Sequence, residues 1–183
     1  MKYKQLIVMV TILANVAGAS FARAGATDEN NTTAQRIGTY DSRVVAYAHF
    51  WAPEQQKQLK DKAEVARAAK SAGDTAQFKK LSKEMSDLQE KLHRQVFSTA
   101  PADEAMAALA SRLPEIQKQA SVSALVSKWD QQALGSYKSA QQVDVTDLLV
   151  REFKLDAKQL KTVEEIKNQK PVPLEKIEKL HND

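Results

Sequence analysis

The most constraining feature of this 183-residue chain is a stripe of large apolar residues near its middle. The spacing alternates between three and four residues, which places the whole stripe on one face of an α-helix and is typical of a coiled-coil seam. The stripe consists of Phe78, Leu81, Met85, Leu88 and Leu92. A helix with one apolar face buries that face against a partner, so the stripe predicts packing against another element.

The partner is predicted to be the helix that comes immediately before the stripe. Its start suits Pro53, because the missing proline N–H would be unpaired in a first turn. Gly73 tolerates the left-handed conformation that ends a helix, and Asp74 and Gln77 have the spacing of a capping box. We therefore expect an antiparallel helical hairpin over about residues 53 to 97, with Gly73 at its tip. Its seam on the first helix is a stripe of mostly alanine, which comprises Leu59, Ala63, Ala66 and Ala69.

Three other segments predict a small β-sheet. Residues 36 to 48 are rich in β-branched and aromatic side chains, so we expect a strand in the first half and a turn into helix in the second. Residues 122 to 129 alternate apolar and polar side chains, as a half-buried strand does. A less regular extended piece is expected over residues 137 to 145.

Further helices are predicted downstream of the hairpin. A third helix carries Asp103 and Glu104 in its first turn and is expected to kink at Pro114. A short helix over residues 146 to 153 has Asp144 or Thr146 as its expected cap.

The last predicted helices are at residues 156 to 167 and in a tail at residues 171 to 183. Residues 36 to 170 are expected to form a single domain. The predicted fold class is α+β, predominantly α: a long antiparallel helical hairpin projects from a small β-sheet, followed by C-terminal helices.

The N-terminus predicts export. Two lysines precede an apolar run at residues 6 to 14, and Ala22 and Ala24 are the small residues that a signal peptidase reads. The run is shorter than the roughly 20 residues that a bilayer span needs. We expect residues 1 to 24 to be a cleavable signal peptide, residues 25 to 35 to be a disordered leader, and the protein to be periplasmic or secreted.

Charge and cysteine content exclude several functions. The chain has 27 basic and 23 acidic residues, and the predicted signal peptide contains three of the basic ones and no acidic one, which leaves 24 against 23. This near-neutral balance predicts no nucleic-acid partner, because such a domain is strongly basic. The absence of cysteine excludes disulfides, thiol catalysis and thiolate metal sites.

The sequence contains no pattern typical of catalysis. His49, His93 and His181 are far apart and lack ligand-spaced carboxylates, and no phosphate loop or nucleophile motif is present. We therefore expect no enzyme activity, no catalytic residue, no metal and no cofactor. Trp129, which precedes Asp130, is either a binding feature beside the sheet or a core residue.

Basic residues outnumber acidic ones at the predicted tip of the hairpin. Glu64, Asp74 and Glu84 are the acidic residues there. The surface is either a contact for anionic membrane headgroups or acidic protein segments, or a solvated helix face with ordinary local ion pairs. The basic residues are Arg67, Lys70, Lys79, Lys80 and Lys83.

Two short motifs flank the hairpin. Ile37 precedes Asp41 by four residues, and residues 144 to 150 read Asp-Val-Thr-Asp-Leu-Leu-Val. Together with the order of predicted elements, these motifs resemble the Skp/OmpH family of periplasmic chaperones. In that family a first strand of the type Ile-x-x-x-Asp leads into helical tentacles, and an Asp-Ile-Thr-like segment opens the terminal helix.

The resemblance implies an ATP-independent holdase that captures unfolded exported or outer-membrane proteins between helical arms. The alternative is a non-enzymatic envelope adaptor or structural protein whose hairpin docks one partner. In that case the segment from Pro171 to Leu174 would act as a tether. Homo-oligomerisation through an exposed seam residue stays open in both cases.

Overall fold

The structure is a computed structural model, and it describes residues 35 to 177. The predicted signal peptide, the predicted leader up to residue 34, and residues 178 to 183 of the predicted tail helix lie outside the described residues. The described part is mostly helical with one small sheet, which confirms the α+β, predominantly α class. In chain order its elements are β1 (Arg36–Tyr40), α1 (Ser42–Trp51), α2 (Pro53–Ser71), α3 (Thr75–Phe97), α4 (Asp103–Ala108), α5 (Leu113–Ala120), β2 (Leu125–Ser127), α6 (Gln131–Gly135), β3 (Gln141–Asp144), α7 (Thr146–Arg151) and α8 (Ala157–Lys167).

The sheet has three parallel strands in the order β2-β1-β3, so β1 lies in the centre. Thr39 of β1 is in register with Val126 of β2 and with Asp144 of β3. Parallel neighbours require long crossover connections, and the helices between the strands provide them. The carboxyl ends of all three strands therefore meet at one edge of the sheet.

β2 and β3 are shorter than the predicted extended segments. β2 covers only Leu125–Ser127, and the extended stretch before α7 begins at Gln141 in place of residue 137. Between them the chain turns into α6, whose N-cap is Asp130: the Ala133 N–H donates to its carboxylate over 2.9 Å. The Asp130 cap favours a helix over residues 131 to 135, which the pattern of apolar residues did not predict.

β1 and α1 form the centre of the core. Ile37, Val44 and Val45 are completely buried. α1 contacts α3, α4, α7 and α8, and Val145 and Leu149 belong to the same apolar cluster as Val44 and Val45. A central strand that leads directly into a buried helix explains why most of residues 36 to 48 are buried, including the polar Asp41, Ser42 and Arg43.

The connection from α2 to α3 follows local rules. Gly73 has φ +77°, its N–H donates to the Lys70 carbonyl, and the Asp74 N–H donates to the Ala69 carbonyl, which is a Schellman motif. The Gln77 N–H donates to Asp74 Oδ1 over 2.9 Å, so Asp74 caps α3. The reciprocal half of the predicted capping box does not form, because the Asp74 N–H is already bonded to Ala69.

Two predictions about helix ends are wrong. The third helix does not kink but divides into α4 and α5, with Pro114 in the first turn of α5, where its missing N–H is harmless. The N-cap of α7 is Val145, with no side-chain cap. Asp144 accepts from the Thr146 N–H and hydroxyl, over 2.9 and 2.6 Å, and so orients Thr146 instead of capping the helix.

The segment considered as a tether is docked on the domain. The Val172 N–H donates to the Phe97 carbonyl over 2.8 Å, and the Thr99 N–H donates to the Val172 carbonyl over 3.1 Å. The Leu174 N–H donates to Thr99 Oγ1 over 3.1 Å. These bonds hold the segment along the end of α3, so it does not act as a free tether.

Candidate functional site

The carboxyl edge of the sheet contains a buried ion pair. Asp41 follows β1 directly, and Arg43 lies in the first turn of α1; the two residues are 3% and 2% exposed. Arg43 donates from Nε and Nη2 to the two carboxylate oxygens of Asp41, over 3.0 and 2.7 Å. Two parallel bonds of this kind are the strong, fork-like geometry of arginine and carboxylate.

The pair is also tied to two distant parts of the chain. Trp129 Nε1 donates to Asp41 over 3.0 Å, and the Arg43 guanidinium lies 5.0 Å from the Trp129 ring centre. Arg43 Nη1 donates to the carbonyl of Gln169, just beyond α8, over 2.8 Å. Of the two interpretations of Trp129, the geometry supports the structural one, because its polar atom and ring face are both engaged inside the protein.

A second carboxylate lies at the same edge. The Asp41 N–H donates to Thr146 Oγ1 over 3.0 Å, and Thr146 in turn donates to Asp144. Lys128 forms an ion pair with Asp144 over 2.5 Å. Although burial opposes ionisation, the bonds from Lys128 and Thr146 lower the pKa of Asp144 below its ordinary value.

These contacts define what the edge does chemically. Both Asp41 oxygens are occupied by donors, and the Arg43 guanidinium is enclosed. The arrangement clamps the ends of β1, β2 and α8 together through the polar atoms of Asp41 and Arg43. The sequence indicated Asp41 only through a motif and did not indicate Arg43. The one local sign of a buried arginine is that Arg43 directly precedes two buried valines.

A cavity of about 320 Å³ adjoins this edge. Tyr40, Asp103 and Asp130 contribute to its lining. Burial raises the pKa of Tyr40, and the two carboxylates raise it further, so the phenol stays protonated and neutral.

The residues predicted as contact sites lie at the connected ends of α2 and α3. Lys83 is engaged by Asp87 one turn later, over 2.7 Å, and its pKa is raised by that bond. Lys70 lies 5.4 Å from the ring centre of Phe78, which joins the two helices. Part of the predicted basic surface is therefore locally neutralised or packed.

The other three cations form no ion pair with the described residues, although Lys80 adds to the effect of Lys62 in lowering the pKa of Glu84. Among the ion pairs of residues 35 to 177, none includes Arg67, Lys79 or Lys80, and all three are exposed. Val65 is 48% exposed nearby in sequence, and Ala68 is exposed as well. The surface combines positive charge with small apolar groups.

The predicted seam residues are all withdrawn from solvent to some degree. Ala66 and Ala69 are buried at 3% and 5% exposure. A cross-helix ion pair joins Lys62 to Glu84 over 2.8 Å. The half-buried seam residues are Leu59, Ala63, Phe78, Leu81, Met85, Leu88 and Leu92.

Two histidines, His49 and His93, lie in the described part of the chain, and His181 lies outside it. No group of three or more metal-ligating side chains occurs in the described part of the chain. His49 is half-buried at the end of α1, with its ring centre 5.7 Å from that of Phe153. Burial lowers the pKa of His49 below its ordinary 6.5; Glu104 partly opposes this and Lys91 adds to it.

We expect stability to depend on pH through His49. Because the folded-state pKa lies below the unfolded value, the unfolded chain binds more protons, and the free energy of unfolding should fall as pH decreases below about 6.5. His49→Gln should remove this part of the pH dependence. Urea unfolding at several pH values between 5 and 8 measures it, with the exposed-site variant His93→Gln as the control. An unchanged slope in His49→Gln would assign the effect to other groups.

Between residues 35 and 177, no helix is long and apolar enough to cross a membrane. Comparison with protein-family models, curated proteins and solved structures found no match for this chain.

Proposed function

We propose that this protein is a periplasmic or secreted, ATP-independent holdase that binds unfolded exported proteins, without enzyme activity. The observation that carries the proposal is the outer surface of α2 and α3. It is long, solvent-exposed and mixed in character, and it contains no group arranged for chemistry.

We propose further that α2 and α3 form an antiparallel hairpin, which we name the arm. The two helices have 19 and 23 residues, which corresponds to roughly 28 and 35 Å at 1.5 Å per residue. Only three residues join them, and they contact each other. Between residues 57 and 91 only Ala66 and Ala69 are buried, which supports an arm that packs mainly on itself.

The surface of the arm suits unfolded chains. Exposed small apolar groups offer weak, unspecific contacts, and the unpaired cations Arg67, Lys79 and Lys80 attract acidic segments over about 10 Å at 0.1 M salt. Neither contact requires a defined client sequence. Anionic membrane headgroups would be attracted by the same charges.

The two motifs of the Skp/OmpH resemblance also meet in space. Asp41, which ends the first motif, donates its N–H to Thr146 of the second over 3.0 Å, and Thr146 donates to Asp144. A fixed joint between these motifs at the base of the arm supports a relationship to that family of chaperones, and with it the holdase function.

The first test follows aggregation. We expect the purified protein to slow the aggregation of a denatured outer-membrane β-barrel protein without ATP, as measured by light scattering. The variant with Arg67, Lys79 and Lys80 all changed to Glu should bind an acidic client about tenfold more weakly, since three exposed charge contacts contribute roughly 0.5 kcal/mol each. Its residual binding should also be less sensitive to salt.

A matched control reverses the same number of charges elsewhere. Lys138, Lys158 and Lys170 are exposed and lie outside the arm, and changing them to Glu should leave client capture close to that of the wild type. If several unrelated clients aggregate unhindered while the protein binds one folded envelope protein tightly, the adaptor alternative replaces the holdase.

A further inference from the structure

A groove of about 480 Å³ lies between α7 and α8, outside the arm. Its floor includes Val150 and Val163, which are 3% and 1% exposed. Leu155 and Leu160 form its apolar walls, and Leu160 is 44% exposed, so water reaches the apolar lining directly. The groove is a surface trough that accommodates one or two side chains.

The acidic residues on the rim of the groove, Asp147 and Glu164, share one lysine. Lys167 Nζ contacts the carboxylates of Asp147 and Glu164, over 2.5 and 2.7 Å. Desolvation disfavours the charge on Lys167, but the bonds from both carboxylates outweigh it and raise the pKa of Lys167. Because one ammonium offsets only one of the two carboxylates, this three-residue cluster keeps a net charge of −1.

The basic residues on the rim are not neutralised. Arg151 and Lys154 line the groove and are exposed, and no ion pair among residues 35 to 177 includes either of them. These two cations contribute +2 and the Lys167 cluster contributes −1, so the rim carries a net charge of +1. A ligand complementary to the groove carries an apolar group next to a carboxylate.

The conformation of Lys154 strengthens this point. Its φ is +53°, a left-handed conformation in which glycine is unstrained and a lysine is not. The chain thus has a cation at the rim in a position where glycine would suit the backbone better. Strain of this kind is concentrated at sites of function.

We propose that this groove docks an acidic, apolar peptide segment of a partner protein. One large apolar side chain of the segment lies over Val150 and Val163, and a neighbouring carboxylate pairs with Arg151 or Lys154. Because the trough is shallow, most of the ligand remains in water, which a peptide backbone tolerates and a long alkyl chain does not. The site does not involve the arm and is independent of the holdase proposal.

The test is an NMR titration of the ¹⁵N-labelled protein. The probe is a synthetic eight-residue peptide with a leucine–phenylalanine pair flanked by aspartates, and the control peptides replace the aspartates by lysines or the apolar pair by serines. We expect shift changes at residues 150 to 155 and 160 to 164 with the acidic peptide and not with the controls.

Two variants locate the contacts. Lys154→Gly relieves backbone strain and so preserves folding. It should lower the affinity for the acidic peptide about threefold to fivefold, as the loss of one exposed charge contact does. Leu160→Asp should weaken it at least tenfold. The variant with Arg67, Lys79 and Lys80 changed to Glu should bind the peptide like the wild type, which separates this site from the arm.

Other outcomes would overturn the proposal. These are equal binding of the lysine peptide, shift changes confined to other surfaces, or unchanged affinity in both groove variants. Sodium decanoate is titrated in parallel. If decanoate binds the groove and the acidic peptide does not, the site is a lipid site and not a peptide site.

Discussion

Replacing Arg43 with methionine is expected to lower the free energy of unfolding by about 3–5 kcal/mol, the usual effect of removing one partner from a buried ion pair. Methionine preserves much of the apolar volume but none of the donors. The Asp41 carboxylate, 3% exposed, would lose both guanidinium bonds, and the Gln169 carbonyl would lose its donor. Chemical denaturation monitored by circular dichroism measures the change.

Two controls accompany this variant. Arg112 forms comparable ion pairs with Glu115 and Glu152 but is 51% exposed, so Arg112→Met should cost less than about 1 kcal/mol. Combining Arg43→Met with Asp41→Asn should cost less than the sum of the single changes, because the asparagine leaves no buried charge. A loss below about 1 kcal/mol in Arg43→Met would mean that the cluster does not stabilise the fold.

Gly38→Ala is expected to destabilise the protein by about 1–3 kcal/mol through overpacking. A Cβ atom at Gly38 would lie 2.7 Å from Leu125 Cδ2, 3.1 Å from Val145 Cγ2 and 3.2 Å from Val122 Cγ2. The Leu125 Cδ2 atom is at the end of a flexible side chain and can move. Val145 is completely buried, and its side chain branches directly at Cβ. The crowding therefore falls on the central strand of the sheet.

The matched control for this substitution is Gly135→Ala. A Cβ atom at Gly135 meets nothing within 4 Å, so the change should be neutral or slightly stabilising, since alanine reduces the conformational entropy of the unfolded chain. Denaturation curves of the two variants give the comparison. Equal effects would show that the space around Gly38 adapts freely.

The sequence by itself determined the elements that depend on neighbouring residues. The bounds of α2 and α3 follow from Pro53, from the left-handed Gly73 and from the Asp74 cap. α8 likewise begins where Asp156 and Gln159 form a capping box. Such signals are legible because their hydrogen bonds join residues only a few positions apart.

Tertiary structure decided the length of β2 and β3, the division of the helix at Pro114, and which charged groups are paired. The Trp129 bond to Asp41 spans 88 positions and the Arg43 bond to Gln169 spans 126. The ion pair between Lys167 and Asp147 spans 20 positions. These partners carry no mutual pattern in the sequence, because a long-range contact depends on where the parallel sheet brings distant segments together and on how completely water is excluded there.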